Sequence, residues 1–124
     1  MSKQQEFSPY PVSELPTGFK YPNSYLELAR DLGILKSISK FPWWFSNAED
    51  SLKQNMNIYF NLTGNQYLIE FARDGDWAAC FDASDHSGDP KVVVYDLGNK
   101  NNHYEKENFD EWLKFVINEI ENYY

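Results

Sequence analysis

The chain has 124 residues, a formal net charge of −8 at pH 7 and an aromatic content of 18%. This length suits one domain with a sizeable core, and aromatic side chains should fill much of it. The acidic balance argues against binding to a nucleic-acid backbone, which requires clustered Lys and Arg. No apolar run has the length of a membrane span, and the first residues lack the apolar stretch of a signal peptide, so we expect a cytoplasmic protein.

The N-terminal third begins with a polar segment and continues into a helix. Residues 1–14 contain two prolines, which predicts a flexible arm ahead of a single domain over residues 15–124. Ser24 and Glu27 have capping-box spacing at the start of a helix, and Gly33 would end it. Apolar residues at helical spacing predict its buried stripe, which consists of Tyr25, Leu28, Ala29 and Leu32.

Two adjacent tryptophans follow a weakly alternating segment. Residues 34–40 predict a short edge strand, and Pro42 excludes a central strand position at that point. In an extended segment Trp43 and Trp44 face opposite sides. Either both pack inside the domain, or one lies in the core and the other is a partly exposed anchor for a partner.

The middle of the chain has a mixed pattern. A helix is predicted over roughly 47–56, capped by Ser46 or Asn47 and with acidic residues in its first turn. The apolar residues over 56–62 also alternate as in a strand. We therefore predict that the helix gives way to an extended segment that ends at residues 63–65.

A β-hairpin is the clearest feature of the sequence, and we expect the sheet to be built around it. Asp74-Gly75 lies between two apolar runs and favours a tight turn, because both residue types tolerate a positive φ. The residues after the turn alternate between two apolar faces, one with Trp77, Ala79 and Phe81 and the other with Ala78 and Cys80. Because both faces are apolar, this strand should be central in its sheet.

The last third predicts a strand and a long helix. Residues 92–95 are β-branched or aromatic and suit a strand, and Asn108 and Glu111 have the N-cap and N3 spacing of a helix. The buried stripe of that helix would consist of Phe109, Trp112, Leu113, Val116, Ile120 and Tyr123. Together, these elements predict an α+β fold in which an antiparallel sheet of about four strands is flanked by N-terminal and C-terminal helices.

Acidic residues are concentrated in the second half of the chain. Residues 65–90 carry six acidic residues against Arg73 alone, and residues 105–124 carry six against two lysines. Such a surface is either simply solvated, or it faces a basic protein partner that it attracts over a long range.

Residues with catalytic or metal-binding chemistry show no convincing pattern. The best metal ligands, Asp82, Asp85, His86 and Asp89, lack the spacing of a calcium loop, and turn formation accounts for them more simply. Cys80 lies within a strand, as expected for a buried inert thiol. Phosphate-binding loops and GxGxxG motifs are absent. We predict no catalytic residue, metal or cofactor; the alternative enzyme is a small hydrolase that uses His86 with Asp85 or Asp89.

In their order and spacing, these motifs resemble the SUKH superfamily, which is related to fungal cell-wall-synthesis regulators. The resemblance covers about residues 15–113 and consists of Leu15-Pro16, Tyr25-Leu26 with Gly33, the Trp43/Trp44 region, Phe71-Ala72-x-Asp74-Gly75-Asp76, Cys80-Phe81-Asp82, Pro90-x-Val92-Val93-x-Tyr95-Asp96 and Phe109-x-x-Trp112-Leu113. These residues mainly bear the fold, so no catalytic role is transferred. The chain is more compact than several members between the tryptophans and the hairpin, which leaves the subgroup open.

The resemblance implies a bacterial immunity protein that binds and neutralises a cognate toxin domain, often a nuclease. The charge distribution agrees, because a nuclease needs a cationic cleft for its substrate. The partner would be a basic toxin protein, with no direct contact to nucleic acid or membrane. The fungal relatives suggest the alternative of a regulatory or scaffold module with a non-toxin partner. The predicted partner-binding residues are Trp43, Trp44, Asp74, Asp76, Trp77, Asp82, Asp85 and Asp89.

Overall fold

The described part of the chain has the predicted α+β fold, with one strand more than expected. The structure is a computed structural model that describes residues 7–31, 41–48, 51–99 and 101–123. None of the helices in these ranges is long and apolar enough to cross a bilayer. In chain order the elements are a 3₁₀ helix (Val12–Glu14), α1 (Asn23–Arg30), β1 (Trp44–Phe45), α2 (Leu52–Thr63), β2 (Leu68–Asp74), β3 (Trp77–Asp82), β4 (Val92–Asp96), β5 (His103–Lys106) and α3 (Phe109–Tyr123).

The five strands form one antiparallel sheet in the order β1-β2-β3-β4-β5. β3 is central, as predicted. On its first face Ala79 and Phe81 join a large aromatic core, and on its second face Ala78 and Cys80 join a smaller apolar cluster. β5 was not predicted, because its sequence is polar and its side chains at the sheet edge are exposed or half-buried.

The central hairpin turns one residue later than predicted. Asp74 pairs with Trp77, so Gly75 and Asp76 are the two loop residues, and Gly75 has a φ of 59°. A tight two-residue hairpin loop needs a positive φ at its first position, which glycine adopts without steric cost. Asp74 therefore belongs to β2, and its side chain shares the first face of the sheet with Trp77.

A β-bulge in β2 changes which side chains face the core. The register shifts between Glu70 and Ala72, so Phe71 and Ala72 both join the first-face core. Glu70 and Arg73 then lie close together, with Arg73 Nη1 3.8 Å from Glu70 Oε1. The simple alternation expected from the sequence is interrupted at this point.

Aromatic side chains from α1, α3 and the sheet build the first-face core. The Tyr25 ring lies 5.1 Å from Phe81 and 5.6 Å from Phe109, and Phe71 stacks on Phe81 at 4.3 Å between centroids. Stacked and edge-to-face aromatic pairs contribute beyond the area that they bury. Trp112 of α3 is fully buried in the same cluster. The core is therefore aromatic, as the composition predicted.

α1 begins ahead of the predicted capping box. Its N-cap is Pro22, and no side chain caps it, so Ser24 is the second residue of the helix and its predicted capping role is wrong. The physical reason is that the first helical hydrogen bond already runs from Leu26 N to Pro22 O, at 3.2 Å. The predicted roles of Leu32 and Gly33 and the edge strand over 34–40 lie outside the described residues.

α2 starts later and extends further than predicted. The expected helix over 47–56 and the extended segment after it are wrong, because α2 is one helix that continues to residue 63. Ser51 caps it, with Oγ accepting a hydrogen bond from Gln54 N at 3.1 Å. Gly64, with a φ of 83°, ends it in the left-handed conformation that glycine favours.

The two residues predicted to cap this helix make tertiary contacts instead. The Ser46 hydroxyl donates to a Glu70 carboxylate oxygen, and Asn47 Oδ1 accepts from Ser8 N at 2.8 Å, so neither caps a helix. The apolar side chains that alternate as in a strand lie on exposed flanks of α2. They are Ile58, Phe60 and Leu62.

The N-terminal segment is packed against the domain from Phe7 onward, whereas the sequence predicted a flexible arm over 1–14; residues 1–6 of that arm lie outside the described residues. The Phe7 ring stacks on Phe45 at 4.7 Å, and Tyr10 N donates to Tyr21 Oη at 3.2 Å. Phe7 and Tyr10 are both buried. The polar composition of the segment predicted a flexible arm, but burial of these two aromatic side chains holds the segment against the domain.

α3 begins as predicted. Asn108 Oδ1 accepts a hydrogen bond from Glu111 N at 2.9 Å, which is an N-cap. The predicted stripe faces the core. Leu113 is half-buried, and the buried members are Phe109, Trp112, Val116 and Ile120. The predicted stripe residue Tyr123 belongs to a turn whose side chains are not described.

Candidate functional site

The two adjacent tryptophans occupy different environments. Trp43 is buried and edge-on to Trp112 at 5.3 Å, whereas Trp44 is 47% exposed. The extended backbone of β1 explains this, because Phe45 points to the core and its neighbour must point away. Of the two alternatives that the sequence left open, the structure shows the one with one tryptophan in the core and the other exposed, and the role of Trp44 as an anchor stays a prediction. Trp44 pairs with Arg73 of β2.

The hairpin tip brings carboxylates from two turns together at one end of the sheet. Asp74 ends β2 and Asp76 lies in the loop, where its carbonyl oxygen accepts from Leu97 N at 2.8 Å. Gly98 lies close to two carboxylates: if it carried a Cβ, that atom would be 3.2 Å from Asp76 Oδ2 and 3.3 Å from Asp96 Oδ1. The β4–β5 turn therefore packs against the tip and adds Asp96, which was not predicted as a site residue.

A groove of about 360 Å³ opens beside the tip, between the first face of the sheet and α3. Three rings form one side of it: Trp77 lies 6.0 Å from Tyr104, and Tyr104 lies 5.5 Å from Phe115. Two carboxylates, Asp74 and Glu119, also line the groove. Aromatic surface and negative charge thus meet in one concave site.

The exposed end of the sheet and the groove together form the candidate site. Arg73 is directed back onto the hairpin, where Nη2 donates to Gly75 O at 2.8 Å. Four carboxylates lie at this end near Trp77, whereas Trp44, which pairs with Arg73, is directed to the opposite face of the sheet. We call this set the tip surface: Trp44, Asp74, Asp76, Trp77, Asp96 and Glu119.

Burial changes the ionisation of two groups in the groove. Partial burial raises the pKa of Asp74. The pKa of Tyr104 is raised to about 12, first by burial and then by the nearby negative charge of Glu119, with a smaller contribution from Asp74. Burial disfavours the charged form of an acid. An opposite charge nearby favours the charged form of an acid. A positive charge in the groove would thus be attracted by the carboxylates of Asp74 and Glu119.

Three of the predicted acidic residues lie away from the tip surface. Asp82 ends β3, roughly 17 Å from Trp77 at about 3.4 Å per residue. Its Oδ1 accepts from Ser84 N at 2.9 Å and from Ser84 Oγ at 2.6 Å. Asp85 and Asp89 follow in the loop that leaves this end of β3. The eight predicted residues therefore do not form one surface.

The loop carboxylates hold the β3–β4 connection in shape. Asp85 accepts from Ser87 N and from Lys91 N, each at 3.0 Å, and the hydrogen bonds from Ser87 keep the pKa of Asp85 below its usual range. Asp89 Oδ2 accepts from Asn108 Nδ2 at 2.9 Å. The contacts of Asp82 with Ser84 and of Asp85 with Ser87 are the turn-forming roles expected from the residue types, whereas Asp89 joins the loop to the start of α3.

The residues considered for catalysis are dispersed through the structure. Cys80 is fully buried in β3, and burial raises the pKa of its thiol. His86 is exposed in the β3–β4 loop. Glu70, a further half-buried carboxylate, is taken up by hydrogen bonds that it accepts from the hydroxyls of Tyr59 and Ser46. Within the described ranges, no three His, Cys, Asp or Glu side chains are placed to hold a metal ion.

Sequence reasoning missed three groove residues: Tyr104, Phe115 and Glu119. Tyr104 lies on the unpredicted strand β5. From the sequence, Phe115 indicates only that the apolar surface of α3 is wider than one stripe. No local pattern links these positions to Asp74, because strand, hairpin and helix meet only in the folded protein.

Comparisons with known proteins leave the family open. No family model, no curated protein and no solved structure matches the chain. The resemblance to the SUKH superfamily thus rests on the sequence motifs alone.

Proposed function

We propose that the protein is an immunity protein, which binds a cognate bacterial toxin domain of nuclease type and neutralises it through the tip surface. The supporting observation is that one end of the sheet carries four carboxylates near half-buried Trp77 on its first face, with exposed Trp44 on the opposite face of the same end. Tryptophan is enriched among residues that dominate binding energies, and charges around such anchors steer the partner.

The charge of the protein suggests the chemistry of its partner. A nuclease binds the phosphate backbone with Lys and Arg, so its surface also attracts a protein with a net charge of −8. Such attraction accelerates association and weakens with salt, since the Debye length is about 8 Å at physiological ionic strength. In this proposal the protein acts in the cytoplasm as a binding protein, without a catalytic residue, cofactor, membrane contact or direct contact to nucleic acid.

The proposed contact is smaller than the sequence predicted. Asp82, Asp85 and Asp89 use their carboxylates to organise the β3–β4 loop. Trp43 is buried and contributes to the lining of the groove. We therefore assign partner binding to the tip surface and loop folding to the other three acids.

Co-expression tests the immunity function directly. The protein encoded immediately upstream is expressed with and without this chain, and growth and co-purification are measured. We expect the upstream protein to stop growth when expressed alone, and this chain to restore growth and co-purify with it. If the upstream protein is harmless, or if growth is not restored, the immunity function is contradicted.

Charge reversal tests the location of the contact. The double variant Asp76→Lys/Glu119→Lys alters two exposed tip residues, and Glu27→Lys/Glu107→Lys makes the same charge change at exposed positions outside the tip surface. At low salt we expect the tip variant to lower the association rate constant by about tenfold and the control by about twofold. Equal losses in stopped-flow measurements would show that only net charge matters and that the tip is not the contact.

A further inference from the structure

The aromatic side of the groove suits an organic cation. The faces of aromatic rings attract a positive charge within about 6 Å of the ring centroid. The protein's own Lys106 already uses this property, because its Nζ lies 3.8 Å from the Phe115 centroid and 5.7 Å from that of Tyr104. Trp77 extends the same aromatic surface toward the hairpin tip.

The carboxylates give the groove a charge that the fold itself leaves unbalanced. Asp74 and Glu119 line the same space, and both act electrostatically on Tyr104. Within the described ranges, neither carboxylate makes a hydrogen bond or an ion pair. Asp74 is also partly buried, so water compensates its charge less well than on an open surface. Lys106 lies on the Phe115 ring but makes no ion pair with Asp74 or Glu119 within the described ranges, so a cation from outside the domain is the complement that these carboxylates lack.

We propose that this groove binds an arginine side chain of the partner protein, with the guanidinium against the aromatic rings and hydrogen-bonded to Asp74 and Glu119. Arginine fits better than lysine, because its planar guanidinium stacks on rings and offers several donors to carboxylates, whereas an ammonium is compact and strongly hydrated. A groove of about 360 Å³ also has room for one such side chain.

The partner's identity rests on the proposed function, but the groove chemistry does not. A nuclease-type partner carries arginines where it binds phosphate, since the guanidinium suits that geometry. When such an arginine enters the groove, the carboxylates of Asp74 and Glu119 take the place of the phosphate that it binds in the nuclease's substrate. The tip surface would then supply both long-range attraction and one specific point of attachment.

A small probe tests the groove without any toxin. N-acetylarginine amide is titrated into the full chain, and the indole N–H signals of its four tryptophans are followed by NMR after assignment with Trp→Phe variants. We expect the Trp77 signal to shift with a dissociation constant on the order of 10 mM, and the Trp44 signal to stay unchanged. The uncharged isostere N-acetylcitrulline amide should bind at least about tenfold more weakly.

Matched variants locate the probe. Glu119→Gln and Phe115→Leu should each weaken probe binding by about threefold or more, because each removes one kind of contact. Glu107→Gln removes an exposed carboxylate outside the groove and should leave binding unchanged. Circular dichroism of each variant establishes that it is folded, and only folded variants are compared.

Several outcomes would overturn the proposal. A Trp77 signal that does not move, equal binding of the citrulline probe, or equal binding of N-acetyllysine amide each contradicts guanidinium recognition in the groove. If the probe binds but the upstream protein does not, the groove stands and the immunity function fails. If the upstream protein binds Glu119→Gln and Phe115→Leu as tightly as the natural chain, the groove proposal fails and the immunity function stands.

Discussion

Asp74 is held in an environment that disfavours its own charge. Partial burial beside Trp77 and Tyr104 raises its pKa above the value in the unfolded chain. Between these two pKa values the folded state binds more protons than the unfolded state, so stability falls as pH rises through the folded pKa. Perturbed acids of this kind cluster at functional sites. Its position in the groove agrees with a role in binding a cation.

Replacing this charge should stabilise the protein. We expect Asp74→Asn to raise the Tm at pH 7 by about 2 °C, because the amide removes a partly desolvated charge. At pH 3 the carboxyl is largely protonated in both states, and the difference should vanish. Thermal unfolding at the two pH values measures this, with Asp76→Asn in the exposed loop as the control. A Tm at pH 7 below that of the natural chain would contradict the burial argument.

Cys80 should be chemically inert while the protein is folded. Its side chain is 0% exposed and its thiol pKa is raised by burial, so little thiolate is present or accessible. Alkylation by iodoacetamide, followed by mass spectrometry, should be undetectable in native buffer and complete in denaturant. Rapid labelling of the native protein would contradict the central position of β3.

Among the elements, the helix ends show how far local chemistry decides structure. Asn108 caps α3 as its spacing predicted, because no competing partner occupies its Oδ1. Ser46 and Asn47 have equally suitable side chains, yet Glu70 and the backbone of Ser8 bind them. A capping residue therefore predicts a helix only when tertiary contacts leave it available.

Removal of the α3 cap should have a measurable cost. We expect Asn108→Ala to lower the free energy of unfolding by about 1 kcal/mol, because Glu111 N and Asp89 both lose their hydrogen-bond partner. Asn118→Ala on the exposed side of α3 is the matched control and should stay within about 0.5 kcal/mol of the natural chain. Urea unfolding measures both. Equal effects would mean that helix propensity, rather than the cap, is being measured.

For the whole molecule, stability is concentrated in the aromatic core on the first face of the sheet. Phe71 contacts Phe81, Phe109 and Trp112 at centroid distances of 4.3, 5.6 and 5.0 Å. It lies on the first face by the ordinary alternation after Ile69, and the β-bulge in β2 adds Ala72 to the same face. One side chain thus joins the central hairpin to α3.

Phe71→Ala should destabilise the whole domain. We expect a loss of about 3–5 kcal/mol, since the substitution leaves a cavity among rings that pack closely. Phe60→Ala is the control, because Phe60 is 46% exposed on α2 and its removal should change stability by less than about 1 kcal/mol. Denaturant unfolding followed by tryptophan fluorescence compares them. Similar losses of unfolding free energy in the two variants would contradict the conclusion that stability is concentrated in the first-face core.

The length of β3 also decides how the acidic half of the chain is used. β3 is six residues long and separates Asp76 at the hairpin tip from Asp82, Asp85 and Asp89 at its other end. The acidic stretch of the sequence therefore becomes two separate groups in the structure. One group surrounds the groove, and the other folds the β3–β4 loop. Charge density along a sequence therefore does not give charge density on a surface.

The sequence by itself determined the features that depend on neighbours along the chain. The hairpin, the opposed tryptophans and the start of α3 follow from the two-residue alternation of strands and from local capping, and all three are found in the structure. The tertiary structure alone decided the true ends of α2, the pairing of polar β5 and the groove between Asp74, Tyr104 and Glu119. These features depend on which side chains meet across the fold, and local periodicity carries no information about such contacts.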